Sequence, residues 1–191
     1  MGELAQRHDV LALSFHVDYW DSLGWPDRYA LPDAVSRQRG YAKVLGNSSV
    51  YTPQVVIDGR GDFVGNDRKA IDRALGEARD TVVPIELGAS DGAVTIGLPL
   101  RDGLATSDVI LVAYQHQVLS KIVRGENAGR TLAEFNVVRS LRTLGRWNGD
   151  ARRFRAGIET LPPGTTDVAV LVQPLGLGSI LGAATLPLPV R

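Results

Sequence analysis

The sequence predicts an α/β segment over residues 1–80 followed by an antiparallel β-sandwich over residues 81–191. Three observations predict it. Helical and extended runs alternate up to residue 79. A proline heads the β-run "SVYTPQVVIDG" at residues 49–59. Beyond Pro84 the rhythm becomes short alternating runs divided by Gly, Asp, Asn and Pro. The boundary is expected at residues 80–84, where "DTVVP" separates helix from strands.

The elements follow in order. Residues 3–7 (ELAQR) read as the tail of a helix. "DVLALSFHV" at 9–17 is a compact apolar run suited to a strand buried on both faces. Residues 33–45 read as a helix, with Asp33 as N-cap and Gly46-Asn47 as its stop. "TPQVVIDG" and "GDFVG" form a hairpin, because an Asp-Gly step supplies the positive φ of a tight turn. Residues 67–79 form an amphipathic helix with Ala70, Ile71, Ala74, Leu75 and Ala78 on one side. The later runs "AVTIGLPL", "DVILVAYQHQV", "LSKIVRG", "NVVRSLRTL", "RRFRAGIETL", "DVAVLVQPL" and "ILGAATLPL" are strands.

Composition narrows the chemistry. A chain of 44% hydrophobic and 22% charged residues builds an ordinary buried core. Its 21 basic and 21 acidic residues cancel, so bulk charge selects no partner. Eight arginines lie within residues 124–155, but arginine is the habitual cation of this chain and they are read as solvated strand faces. Nucleic acid is therefore not an expected partner. No cysteine is present, which excludes a disulfide framework, a Cys-ligated metal and a thiol nucleophile from these residues. No apolar stretch approaches the ~20 residues of a membrane-spanning helix, so no membrane association is expected. "MGELAQRHD" lacks the apolar region of a signal peptide, and the chain as written is expected to be cytoplasmic.

Candidate site residues concentrate in "FHVDYWDSLGWPD", which carries His16, Asp18, Trp20, Asp21, Trp25 and Asp27 after a buried run. If the strand continues, His16 and Asp18 share one face, as side chains two apart do. Such a pair suits divalent-metal or acid–base chemistry, while the aspartates equally suit turn caps and the tryptophans packing. The leading reading is a rigid aromatic-capped loop, and the alternative makes Trp20 and Trp25 the floor of a peptide groove beside Pro53. No catalytic residue, metal ligand or cofactor motif is assigned: "RGENAGR" lacks phosphate-loop spacing, and no serine sits in a nucleophile elbow.

The order strand–helix–strand–strand–helix, with a proline opening the third element, resembles the second half of a thioredoxin fold. "DVLALSFHVDYWDSLGWPD", "RQRGYAKVLG", "SVYTPQVVIDGR", "FVGNDR" and "RGENAGRTLAEFNVVRSLRTLGRWNG" resemble a secreted, thioredoxin-like bacterial family, domain of unknown function 1223. The resemblance implies a cis peptide bond before Pro53. It also implies a substrate-facing loop at Tyr51, Thr52 and Pro53, where a protein or peptide docks with His16, Asp18, Trp20 and Trp25 nearby. Family members begin with a strand and a Cys-x-x-Cys helix start that continue into residues like "GELA". The resemblance therefore implies a chain truncated before its second strand, descended from an exported thiol–disulfide oxidoreductase whose full-length relatives are periplasmic. The missing strand would lie between residues 9–17 and 52–58, leaving a gap of roughly 10 Å to be closed. Two further readings stand beside this one: a non-catalytic protein- or peptide-binding module, and a metal-assisted enzyme at His16 and Asp18.

Overall fold

The computed structural model describes residues 1–23, 26–78, 81–121 and 129–189. Among these residues are three α-helices: α1 (Gly2–Ala5), α2 (Pro32–Val44) and α3 (Arg68–Gly76). The strands among the described residues are β1 (Gln54–Ile57), β2 (Gly61–Val64), β3 (Glu86–Ser90), β4 (Ala93–Leu98), β5 (Ser107–Lys121), β6 (Thr131–Trp147), β7 (Arg152–Gly157), β8 (Asp167–Pro174) and β9 (Gly182–Pro187). They form three antiparallel sheets, ordered β1-β2, β3-β4-β7 and β6-β5-β8-β9.

The four-stranded sheet organises the molecule because both of its faces are covered. Alternation along β5 sends Val109 and Leu111 to one side and Ile110, Val112 and Tyr114 to the other. On the first side they meet Val94, Ile96 and Leu98 of β4, with Trp147 fully buried among them. On the second side the cover is Leu11, Leu13, Phe15 and Leu31. Double coverage explains why β8, "DVAVLVQP", is apolar without alternation: Val168 to Val172 all lie buried.

The α/β, thioredoxin-like class expected for residues 1–80 is overturned. Strand makes up 41% of the structure and helix 18%, and the sheets are antiparallel. Residues 9–17 form no strand alongside 52–58. Instead Ser14 makes a parallel bridge to Val137 on the edge strand β6, with Ser14 N–H donating to Asn136 O and Val138 N–H to Ser14 O, both at 2.9 Å. Asn136 enables this docking. It adopts φ 48°, a conformation Asn tolerates, and its Nδ2 donates to Ala12 O at 2.8 Å. Burying Leu11, Leu13 and Phe15 on the larger sheet satisfies the segment without a parallel sheet of its own. β1 pairs with β2 alone among the described residues.

Local corrections are smaller. Pro32 occupies the first turn of α2, where its missing N–H costs nothing, and Leu31 rather than Asp33 is the N-cap. Gly46, at φ 77°, ends that helix, and Asn47 N–H donates to Ala42 O at 2.7 Å. Asp67 caps α3 by accepting from Ala70 N–H at 3.1 Å, but only Ile71 of the expected apolar stripe is buried. "DVILVAYQHQV" and the start of "LSKIVRG" are one strand, β5, and β3 was not anticipated. Residues 122–128, which hold most of "RGENAGR", lie outside the described residues. Among the described residues, no helix is long and apolar enough to cross a membrane.

Candidate functional site

Two polar networks occupy the first half of the chain, and the predicted site residues divide between them. The first surrounds the Thr52–Pro53 peptide bond, which is cis. Thr52 and Pro53 are exposed, and Gly65 N–H donates to Pro53 O at 2.8 Å. Trp20 is 53% exposed, yet its indole is oriented: Nε1–H donates to Thr52 Oγ1 at 3.0 Å across 32 residues of sequence. Tyr19 adds an edge-on ring contact to Trp20, with centroids 5.4 Å apart, and donates its hydroxyl to Gln38 Oε1 at 3.1 Å.

Gln38 is the hub behind this loop. Its Nε2 donates to Tyr51 O at 2.8 Å and to Gln54 Oε1 at 3.1 Å. Tyr51 in turn donates its hydroxyl to Asp62 Oδ2 at 2.5 Å, and Gln54 Nε2 donates to the same oxygen at 2.9 Å. Burial, reinforced by the Asp62 carboxylate, pushes the Tyr51 phenol up to about 12. Burial alone would raise Asp62. Hydrogen bonds from its neighbours, Tyr51 foremost, outweigh that and hold the carboxyl below its ordinary value. Asn47 acts in the same sense, although its buried Nδ2 completes no hydrogen bond of ordinary geometry. The loop is therefore braced from behind by a neutral phenol and an ionised carboxylate.

The second network gathers around His16, and it is not the pair the sequence suggested. The chain turns at Asp18 instead of continuing as a strand, so Asp18 is exposed and its carboxylate accepts no side-chain hydrogen bond among the described residues. His16 Nδ1–H donates instead to Asp27 Oδ2 at 2.6 Å, while Nε2 faces Glu134 Oε1 at 3.6 Å. Asp27 also accepts Tyr29 N–H at 2.8 Å and donates its own N–H to Asp21 Oδ1 at 2.9 Å. The Tyr29 ring lies under Arg28 and Arg139, whose guanidinium carbons sit 4.7 and 5.0 Å from its centroid. These contacts clamp the aromatic loop to the sheet. Among the described residues no group of three or more His, Asp or Glu is arranged to hold a metal ion. Trp25 lies outside the described residues.

The clamp carries a direct expectation. Asp27→Ala removes acceptors from His16 and Tyr29 and should cost about 1–3 kcal/mol. Asp18→Ala should stay within about 0.5 kcal/mol of the parent, as exposed substitutions do. Urea unfolding of the two variants checks the contrast, and equal losses would contradict the arrangement.

Sequence reasoning missed Gln38, Asp62 and Glu134 as site residues. Glu134 lies 118 residues from His16, and no local pattern announces so remote a partner.

Comparison with known proteins agrees with part of the expected kinship. The family model described as "Protein of unknown function (DUF1223)" matches residues 1–173. No curated protein matches the chain. A protein from Agrobacterium tumefaciens, solved by X-ray crystallography in a structural genomics programme, is similar at 27% identity with a TM-score of 0.83. The alignment covers 97% of this chain and 84% of that one, whose description states no activity. With most of its length matched by the family model, the chain belongs to the DUF1223 family of proteins of unknown function.

Proposed function

We propose that this chain binds an extended peptide beside Tyr51, Thr52, Pro53 and Trp20 and performs no thiol chemistry itself. The observation that carries this reading is the Trp20–Thr52 hydrogen bond, which holds an exposed indole next to an exposed proline. Two further features support it. β1 has one strand neighbour among the described residues, so pairing of its second edge with an added strand displaces no strand described there. The Gln38–Tyr51–Asp62 network holds the loop rigid before a ligand arrives, which lowers the ordering cost of binding. In this reading the chain descends from a thiol–disulfide oxidoreductase and retains its docking loop. Exchange of disulfides requires a thiolate, and no cysteine is present to supply one.

Fluorescence anisotropy with labelled, alkylated insulin B chain tests the proposal. Saturable binding is expected, weakened about 30-fold by Trp20→Ala, as for an interface hot spot of about 2 kcal/mol. Asp18→Ala should bind like the parent. Absence of saturable binding, or unchanged affinity in Trp20→Ala, would overturn the docking site, and catalysed insulin reduction would overturn the redox part.

A further inference from the structure

A separate cleft of ≈ 420 Å³ lies between α2, the four-stranded sheet and the β8–β9 connection. Its lining includes Asp33, Arg37, Asp108, Ile110, Leu141 and Leu177. Arg37 is held there by an unusual support. Gln173 is the one glutamine in the apolar run of β8, is 1% exposed, and uses its whole amide. Its Oε1 accepts from Arg37 Nη2 at 2.5 Å, and its Nε2 donates to Tyr41 Oη at 2.9 Å and Gly178 O at 2.7 Å. Arg37 Nη2 also donates to Tyr41 Oη at 2.9 Å. One guanidinium nitrogen is thus anchored to two neutral oxygens, and Nε and Nη1 have no partner among the described residues.

Among the described residues no carboxylate forms an ion pair with Arg37. Asp33 stands four residues earlier on the same helix, the spacing at which opposite charges usually pair, yet no ion pair forms. Asp108 lines the same cleft and is likewise without an ion pair among the described residues. Burial lowers the Arg37 pKa from its ordinary value, opposed by Tyr41 and by no carboxylate. The guanidinium nevertheless remains charged at neutral pH. A half-buried cation that lines a cleft and keeps Nη1 unpartnered is a receptor for an anionic oxygen, through a charge-assisted hydrogen bond.

The two carboxylates on the same lining decide what kind of anion fits. They repel a polyanion such as a phosphate ester, and a simple monoanion leaves them unanswered. We infer that the cleft binds a small zwitterion of the α-amino-acid class. Its carboxylate accepts from Nη1 of Arg37, its ammonium faces Asp33 and Asp108, and an apolar side chain rests on Ile110, Leu141 and Leu177. This site is distinct from the peptide-docking loop, and neither proposal depends on the other.

Calorimetric titration of the protein with L-leucine, N-acetyl-L-leucine, L-leucinamide and inorganic phosphate tests it. L-leucine should bind saturably and at least roughly tenfold more tightly than either blocked analogue or phosphate. Arg37→Gln should abolish leucine binding. Asp108→Asn should weaken leucine several-fold and leave N-acetyl-L-leucine unchanged. Should Arg37→Gln fail to fold through loss of its bond to Gln173, the analogue series on the parent and Asp108→Asn still decide the question. No saturable leucine binding, leucinamide binding as tightly as leucine, or tighter phosphate binding would each overturn the inference.

Discussion

Trp147→Ala is expected to destabilise the protein by about 3–5 kcal/mol, a large share of the ~5–15 kcal/mol that folded domains possess. The indole is 0% exposed and lies in the core formed by β4, β5 and β8 with Val83. Truncation opens a cavity where both sheets meet, and neither sheet can collapse into it without losing the other contacts of Val94, Val109 and Val170. A polar loss adds to the cavity. Trp147 Nε1–H donates to Asp150 O at 2.6 Å, fixing the turn between β6 and β7. Trp147→Phe separates the two effects, since it retains most of the apolar volume but leaves the Asp150 carbonyl without its donor. It should fall between the parent and Trp147→Ala. Urea unfolding followed by far-ultraviolet circular dichroism measures both. A loss below about 1 kcal/mol in Trp147→Ala would mean that the two sheets do not meet at this residue.

The second large effect is expected at Gly59, in the turn between β1 and β2. This glycine has φ 68°, and an added Cβ would stand 2.7 Å from Gly178 O and 3.2 Å from Gln173 Nε2. Neither neighbour can yield cheaply. Gly178 O is the acceptor of buried Gln173, and the adjacent Ile180 N–H donates to Asp58 O at 2.8 Å. Gly59→Ala should therefore cost about 2–4 kcal/mol, combining left-handed strain with forced separation of the turn from the β8–β9 connection. Gly46→Ala is the internal control. That glycine has φ 77° but nothing within 4 Å of the added carbon, so only the conformational cost of about 1–2 kcal/mol applies. Equal losses at the two glycines would show that the turn does not press on Gly178.

Some of this architecture was readable without coordinates because it depends on neighbours in sequence. The β1–β2 hairpin follows from Asp58-Gly59, since both residues take positive φ in the structure. The α2 helix lies within one residue of its expected span because Pro32 and Gly46 punctuate it. The apolar strand β8 announced its burial through composition. Other features were not readable. The apolar run at residues 9–17 signals burial but not which sheet receives it, and the resemblance to a thioredoxin-like fold suggested the wrong one. His16 and Asp18 look like a pair only if the chain runs straight, and a turn at Asp18 gives the partnership to Asp27.

By itself, the sequence determined the lack of cysteine in these residues, the hairpin, the main helix and the strand-rich character beyond residue 84. Only the tertiary structure decided that residues 11–16 dock on β6, that Trp20 reaches Thr52, and that Arg37 rests on Gln173. The reason is physical. Turn and helix signals act over a few residues through backbone sterics. The choice of partner is made by long-range burial, where separations of 32, 124 and 136 residues leave no local trace.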